Sequence, residues 1–152
     1  PKTAQAVITD IGQADDIHPR NKQDVGLRLA LNALNKDYGK KNLVCVGPTY
    51  KSMRVDGHKI IISYDHIGSG LVVKNKYGYI EGFAIAGSTG EYHWAKAYLD
   101  GSCVIVYSDE VTDPVHVRYA WSNNPDVNLY NREGLPAVPF RTDSRRGITQ
   151  YD

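Results

Sequence analysis

Arg54 to Tyr64, RVDGHKIIISY, and Tyr98 to Tyr107, YLDGSCVIVY, decide the fold. Each holds an Asp-Gly dipeptide between alternating apolar runs, and Asp-Gly accepts the positive φ angles of a type I′ turn. Both stretches are therefore expected to fold back on themselves as antiparallel hairpins. The sequence around them continues in the same style, with short β-prone runs at Leu43 to Val46, Ser52 to Val55, Lys59 to Tyr64, Leu71 to Lys74, Glu81 to Ala86, Glu91 to Leu99, Ser102 to Ser108 and Val115 to Trp121. Short strands separated by turns predict an antiparallel β-sandwich of about seven or eight strands. After Trp121 the run SNNPDVNLYNREGLPAVPFRTD is rich in Asn, Pro, Asp and Gly. That composition predicts extended, turn-rich chain packed over the outside of a sheet.

The first forty residues read differently. Ala4 to Thr9 is a short apolar run that predicts a strand, followed by a loop to Arg20. Asn21 can cap a helix, Asp24 lies in its first turn near the positive end of the dipole, and Gly39 supplies a stop. Leu27, Leu31, Leu34 and Tyr38, flanked by Val25 and Leu29, form an apolar stripe at spacings of three and four. Such a stripe must be buried, either against the β part or against a sheet missing from this chain. Strand, loop and helix together are a fragment of an α/β layer, so residues 1–41 are expected to end one domain and residues 42–152 to form a β-sandwich.

At 152 residues the chain is the size of one ordinary domain. Its 41% hydrophobic and 23% charged residues describe a globular protein. The net charge of +1, with basic and acidic residues intermingled, leaves no electropositive stripe for a nucleic-acid backbone. No apolar run approaches the roughly 20 residues that cross a bilayer, so neither nucleic acid nor membrane is an expected partner. Cys45 and Cys103 sit in apolar strand-like runs, where a free Cys behaves as a small hydrophobe. The chain opens at Pro1 without an initiator Met or a signal pattern, and this start reads as a cut end.

The stretch that carries chemistry is Asp10 to Asn21, DIGQADDIHPRN, in which Asp15 precedes His18 by three residues on the loop before the helix. In a serine hydrolase the imidazole takes the proton of the nucleophilic hydroxyl, while a carboxylate fixes its tautomer and stabilises the imidazolium. By itself an Asp-x-x-His loop is more often a turn, with Asp15 or Asp16 forming an Asx-turn and His18 merely preceding a proline.

Asp-x-x-His directly before a last helix resembles the closing motif of the SGNH (GDSL-type) hydrolase fold, and DIHPRNKQDVGLRLA is similar to its sialate O-acetylesterase version. The resemblance continues in order through GPTYKSM (Gly47 to Met53), DHIGSGL (Asp65 to Leu71), GFAIAG (Gly82 to Gly87) and RYAWSNNPDVNLYNREGLPAVPFRTD (Arg118 to Asp143). It covers about residues 5 to 143. It implies that His18 is the general base and later the general acid, that Asp15 orients it with Asp16 as the fallback, and that acetyl esters of sialic acid or related sugars are hydrolysed. It also implies a secreted, periplasmic or lysosomal location.

The family's Gly-Asp-Ser block and the Gly and Asn of its oxyanion hole are expected in an N-terminal SGNH portion that this chain lacks. Ser69, Ser88 and Ser102 lie in apparent β-turns with no strand-to-helix elbow, so none is a candidate nucleophile. The chain is thus expected to supply Asp and His to a complete esterase and to be inactive alone.

No cofactor is called for. His58, His66, His93 and His116 lack zinc-ligand spacing, and the acidic residues Asp56, Asp65, Asp109, Glu110 and Asp113 do not form an EF-hand loop. Tyr92, Trp94, Trp121 and Tyr130 could stack on a sugar ring, although core packing is the expectation for both tryptophans. The reading overall is a mainly β chain, with an α/β strand-loop-helix piece before an antiparallel sandwich. Its rival is a non-catalytic carbohydrate-binding or structural sandwich.

Overall fold

In the computed structural model, which describes residues 3–147, both hairpins form. β1 (Thr49–Asp56) pairs with β2 (Lys59–Asp65), and β6 (Lys96–Asp100) pairs with β7 (Cys103–Tyr107). Asp56 pairs with Lys59 and Asp100 with Cys103, so the two-residue loops are Gly57-His58 and Gly101-Ser102. Only the glycine of each loop has positive φ, at 58° and 59°. Positive φ at the first central position alone belongs to a type II′ turn, so the glycines act one place earlier in the turn than a type I′ reading requires.

These strands make one four-stranded sheet in the order β1-β2-β7-β6. A second sheet has the order β10-β8-β4-β5, with β4 at Phe83–Ala86, β5 at Tyr92–Trp94, β8 at His116–Tyr119 and β10 at Phe140–Arg141. β3 (Leu71–Val73) and β9 (Leu129–Asn131) form a two-stranded ribbon. All pairings between these strands are antiparallel. Alternation sends Ile60, Ile62, Val104 and Val106 inward from the first sheet and Phe83, Ile85, Val117, Tyr119 and Phe140 inward from the second. Full burial of each such side chain contributes about 1.5–3 kcal/mol.

The expected strand Glu91 to Leu99 breaks at Ala95, where the chain leaves one sheet for the other: β5 pairs with β4 and β6 with β7. Leu43 to Val46 is not a strand. Its carbonyls are taken by side chains, Leu43 by the Asn35 amide at 2.9 Å and Val46 by the Asn131 amide at 3.2 Å. The segment after Trp121 also departs from expectation. It does not merely cover a sheet, because Leu129, Leu135, Ala137 and Phe140 are buried, and it adds β9 and β10.

The N-terminal piece holds one helix, α1 (Lys22–Lys36), capped by the Asn21 side chain, which accepts from the Asp24 amide. Residues 4–9 are not hydrogen-bonded as a strand, since among the described residues no strand pairs with them; the carbonyls of Gln5 and Val7 accept instead from Asn32 and Arg28 of α1. The helix thus buries Arg28 and Asn32 and leaves Leu27, Leu29 and Leu34 exposed, as is Tyr38 just past its end. Its apolar stripe does not pack on the β part. Among the described residues no helix is long and apolar enough to cross a membrane.

Candidate active-site loop and an aromatic groove

The Asp-x-x-His loop is tied at both ends. At its start the Asp10 carboxylate accepts two hydrogen bonds from the Arg28 guanidinium, at 2.6 and 2.7 Å, and one from the Tyr130 hydroxyl at 3.2 Å. Burial alone would raise the Asp10 pKa, but Arg28 overrules it and holds the carboxyl below its usual range. Burial and the neighbouring Asp10 push Tyr130 up to about 12. At the other end sits the Asn21 cap.

Between these anchors, Asp16 accepts the His18 backbone N–H at 2.8 Å, an Asx-turn. That gives one oxygen of Asp16 to the backbone. Asp15 and His18 are both exposed, and among the described residues no hydrogen bond or ion pair joins the Asp15 carboxylate to the His18 ring. The structure therefore places the two side chains on one short turn without bringing them into contact. Beside them, Asp16, Ile17 and Pro19 line a hollow whose far wall includes Trp121 and Pro139.

Of the serines set aside above, Ser69 donates its hydroxyl to Glu133 at 2.6 Å. His93 lies 3.0 Å from Glu110, and the His58 ring meets Tyr107 edge-on.

The tryptophans contradict the expectation of core packing. Trp94 is 75% exposed and Trp121 50% exposed, and both line a groove of about 810 Å³ with Glu81, Arg118, Asn124 and Asp126. Two local features build it. Gly82, at φ 87°, lets the Asp126 backbone approach so closely that a Cβ would lie 2.8 Å from its carbonyl oxygen. Ala120, at φ 53°, donates its amide to Gly82 and turns the chain so that Trp121 leaves the sheet. A non-glycine residue there costs about 1 kcal/mol.

Beside the groove Asp143, fully buried, accepts from the Arg118 guanidinium at 2.8 and 2.9 Å and from the Tyr92 hydroxyl at 2.7 Å. Arg118, with Tyr92 and the Arg145 amide, overcomes burial and holds the Asp143 carboxyl well below the usual range. Tyr92 is pushed up to about 12 by burial and by Asp143. Tyr130, the fourth aromatic, is buried against Lys74 and does not line this groove.

No family model matches the sequence. Known proteins do. Human sialate O-acetylesterase is 33% identical over 92% of the chain, and that of Rattus norvegicus is 42% identical over 97%. A crystal structure of a carbohydrate acetylesterase from Xanthomonas citri superimposes with a TM-score of 0.87 at 51% identity over 93% of the chain. The chain belongs to the sialate O-acetylesterase family. It spans 29% and 30% of the length of the two mammalian proteins and 32% of the bacterial one.

Within the sialate O-acetylesterase family, esterases by the names its members carry, this chain holds an Asp-His loop and an antiparallel β-sandwich. Sequence reasoning underrated the groove. Part of its signal was present, because Trp121 directly precedes a polar run. What hid it was the usual burial of tryptophan.

Proposed function

We propose that this chain is the C-terminal part of a serine esterase that removes O-acetyl groups from sialic acid or a related sugar. Residues 1–41 end its SGNH domain and residues 42–152 form a sandwich domain. The observation that carries the reading is the loop of residues 10–21, pinned at both ends while the His18 ring and the Asp15 carboxylate are exposed and, among the described residues, take no hydrogen-bond or ion-pair partner. The outward apolar face of α1 adds support, since a helix of an α/β layer needs a sheet on that side and the sandwich does not supply one.

In this reading the serine and the oxyanion hole come from the N-terminal SGNH portion of the same protein. His18 takes the serine proton as the hydroxyl attacks the acetyl carbonyl, then gives it to the departing sugar oxygen. Water, activated by the same ring, releases acetate. Asp15 is the orienting carboxylate by the Asp-x-x-His spacing of the family motif, while Asp16 holds the turn through the His18 amide, and the Asp15–His18 hydrogen bond forms when the rest of the protein closes over the loop. No cofactor enters. The protein works in a secreted, periplasmic or lysosomal setting. Acetate release from O-acetylated sialic acid by the full-length protein, and its loss in His18→Ala, tests the proposal.

A further inference from the structure

We infer that the groove between Trp94 and Trp121 binds the sugar chain that carries the acetyl ester, so that the preferred substrate is an acetylated oligosaccharide rather than a free monosaccharide. This rests on the esterase reading above.

The groove follows from strand register. Across the outward face of the second sheet, Trp94 pairs with Ala84, Ala84 with Arg118 and Arg118 with Arg141. A methyl group thus lies between an indole and a guanidinium, which leaves a hollow where longer side chains would fill the row. Among the described residues no ring or cation stacks on Trp94, whereas the Arg141 guanidinium lies 5.3 Å from the Trp121 ring. An indole held on a strand with its flat surface open suits the apolar C–H face of a pyranose.

The rim identifies the occupant. Glu81, Asn124 and Asp126 present carboxylates and an amide, the acceptors and donors that sugar hydroxyls take. The volume of about 810 Å³ is that of a small-ligand cleft.

Its position supplies the link to the chemistry. Trp121 lines this groove and also the hollow beside Asp16, Ile17 and Pro19, the residues around His18. A sugar chain with its acetylated unit at His18 therefore continues past Trp121 towards Trp94.

The test uses the full-length protein and isothermal titration with three trisaccharides, sialyllactose, cellotriose and maltotriose. At least one is expected to bind, with a Kd raised about tenfold or more in Trp94→Ala, partly restored in Trp94→Phe, and unchanged in Tyr77→Ala, an exposed aromatic that does not line the groove. Hydrolysis of p-nitrophenyl acetate by the wild type and His18→Ala is read in parallel, since that ester carries no sugar chain. Absence of binding, or binding indifferent to Trp94→Ala, overturns the inference, as does protection of Trp94 from oxidation in the ligand-free full-length protein. If His18-dependent hydrolysis persists in that case, the esterase reading stands without the groove; Trp94-dependent binding without such hydrolysis removes the esterase and leaves a binding module.

Discussion

Arg28 grips Asp10 through two hydrogen bonds of 2.6 and 2.7 Å, and the two side chains are only 8% and 5% exposed. This pair fixes the start of the Asp-His loop to α1, and Tyr130 fixes the same carboxylate to β9. Breaking a buried pair by removing one partner leaves an uncompensated charge, at a cost of about 3–5 kcal/mol. Arg28→Ala should lower the stability of the protein by that order in urea unfolding. Tyr130→Phe, which removes one longer hydrogen bond, should cost about 1 kcal/mol.

Asp10 and Asp143 both titrate below the ordinary carboxylate range in the folded state. A carboxyl with a depressed folded pKa contributes stability that is fully present above its unfolded value and is lost as pH falls through the folded one. Stability should therefore hold down to about pH 4 and fall steadily below it. The melting temperature against pH checks this. Asp143→Asn should flatten that acid limb, and an unchanged limb would contradict the assignment.

Gly47 is needed for a close approach rather than for its φ. A Cβ there would lie 1.9 Å from the Pro136 carbonyl oxygen, so the backbones of the two segments must separate to admit it. Gly47→Ala should cost about 1–3 kcal/mol, read as a lower urea midpoint at constant m-value.

The hairpins and the inward-facing residues were legible because alternation of apolar residues is a local signal that burial on one face enforces. Ile60, Ile62, Val104 and Val106 are placed where that pattern puts them. What escaped the sequence is set by distant partners. The corner at Ala95 depends on which sheet each half of the run joins, and the burial of Phe140 depends on β8 offering an open edge. Trp94 is exposed because it stands on the outward face of the second sheet opposite Ala84, while His93 beside it pairs with the buried Ile85, a fact of pairing that its neighbours in sequence do not encode. The loop motif was visible, but the Asx-turn that separates Asp16 from Asp15 needed coordinates.

That separation has a kinetic consequence. With Asp16 bound to the His18 amide, Asp15→Asn in the full-length protein should lower kcat by about 10³–10⁴-fold, as loss of the orienting carboxylate does in serine hydrolases. Asp16→Asn keeps an acceptor for the same amide and should cost less than about tenfold. The reverse order would transfer the orienting role to Asp16.

The central claim is that His18 is the base of an acetyl esterase. Its most direct test is kcat/KM of the full-length protein on 9-O-acetylated sialic acid, wild type against His18→Ala. The account predicts a fall of about 10³-fold or more with the fold intact by circular dichroism. Activity retained within about tenfold would contradict it and leave the sandwich as a module without a part in the chemistry.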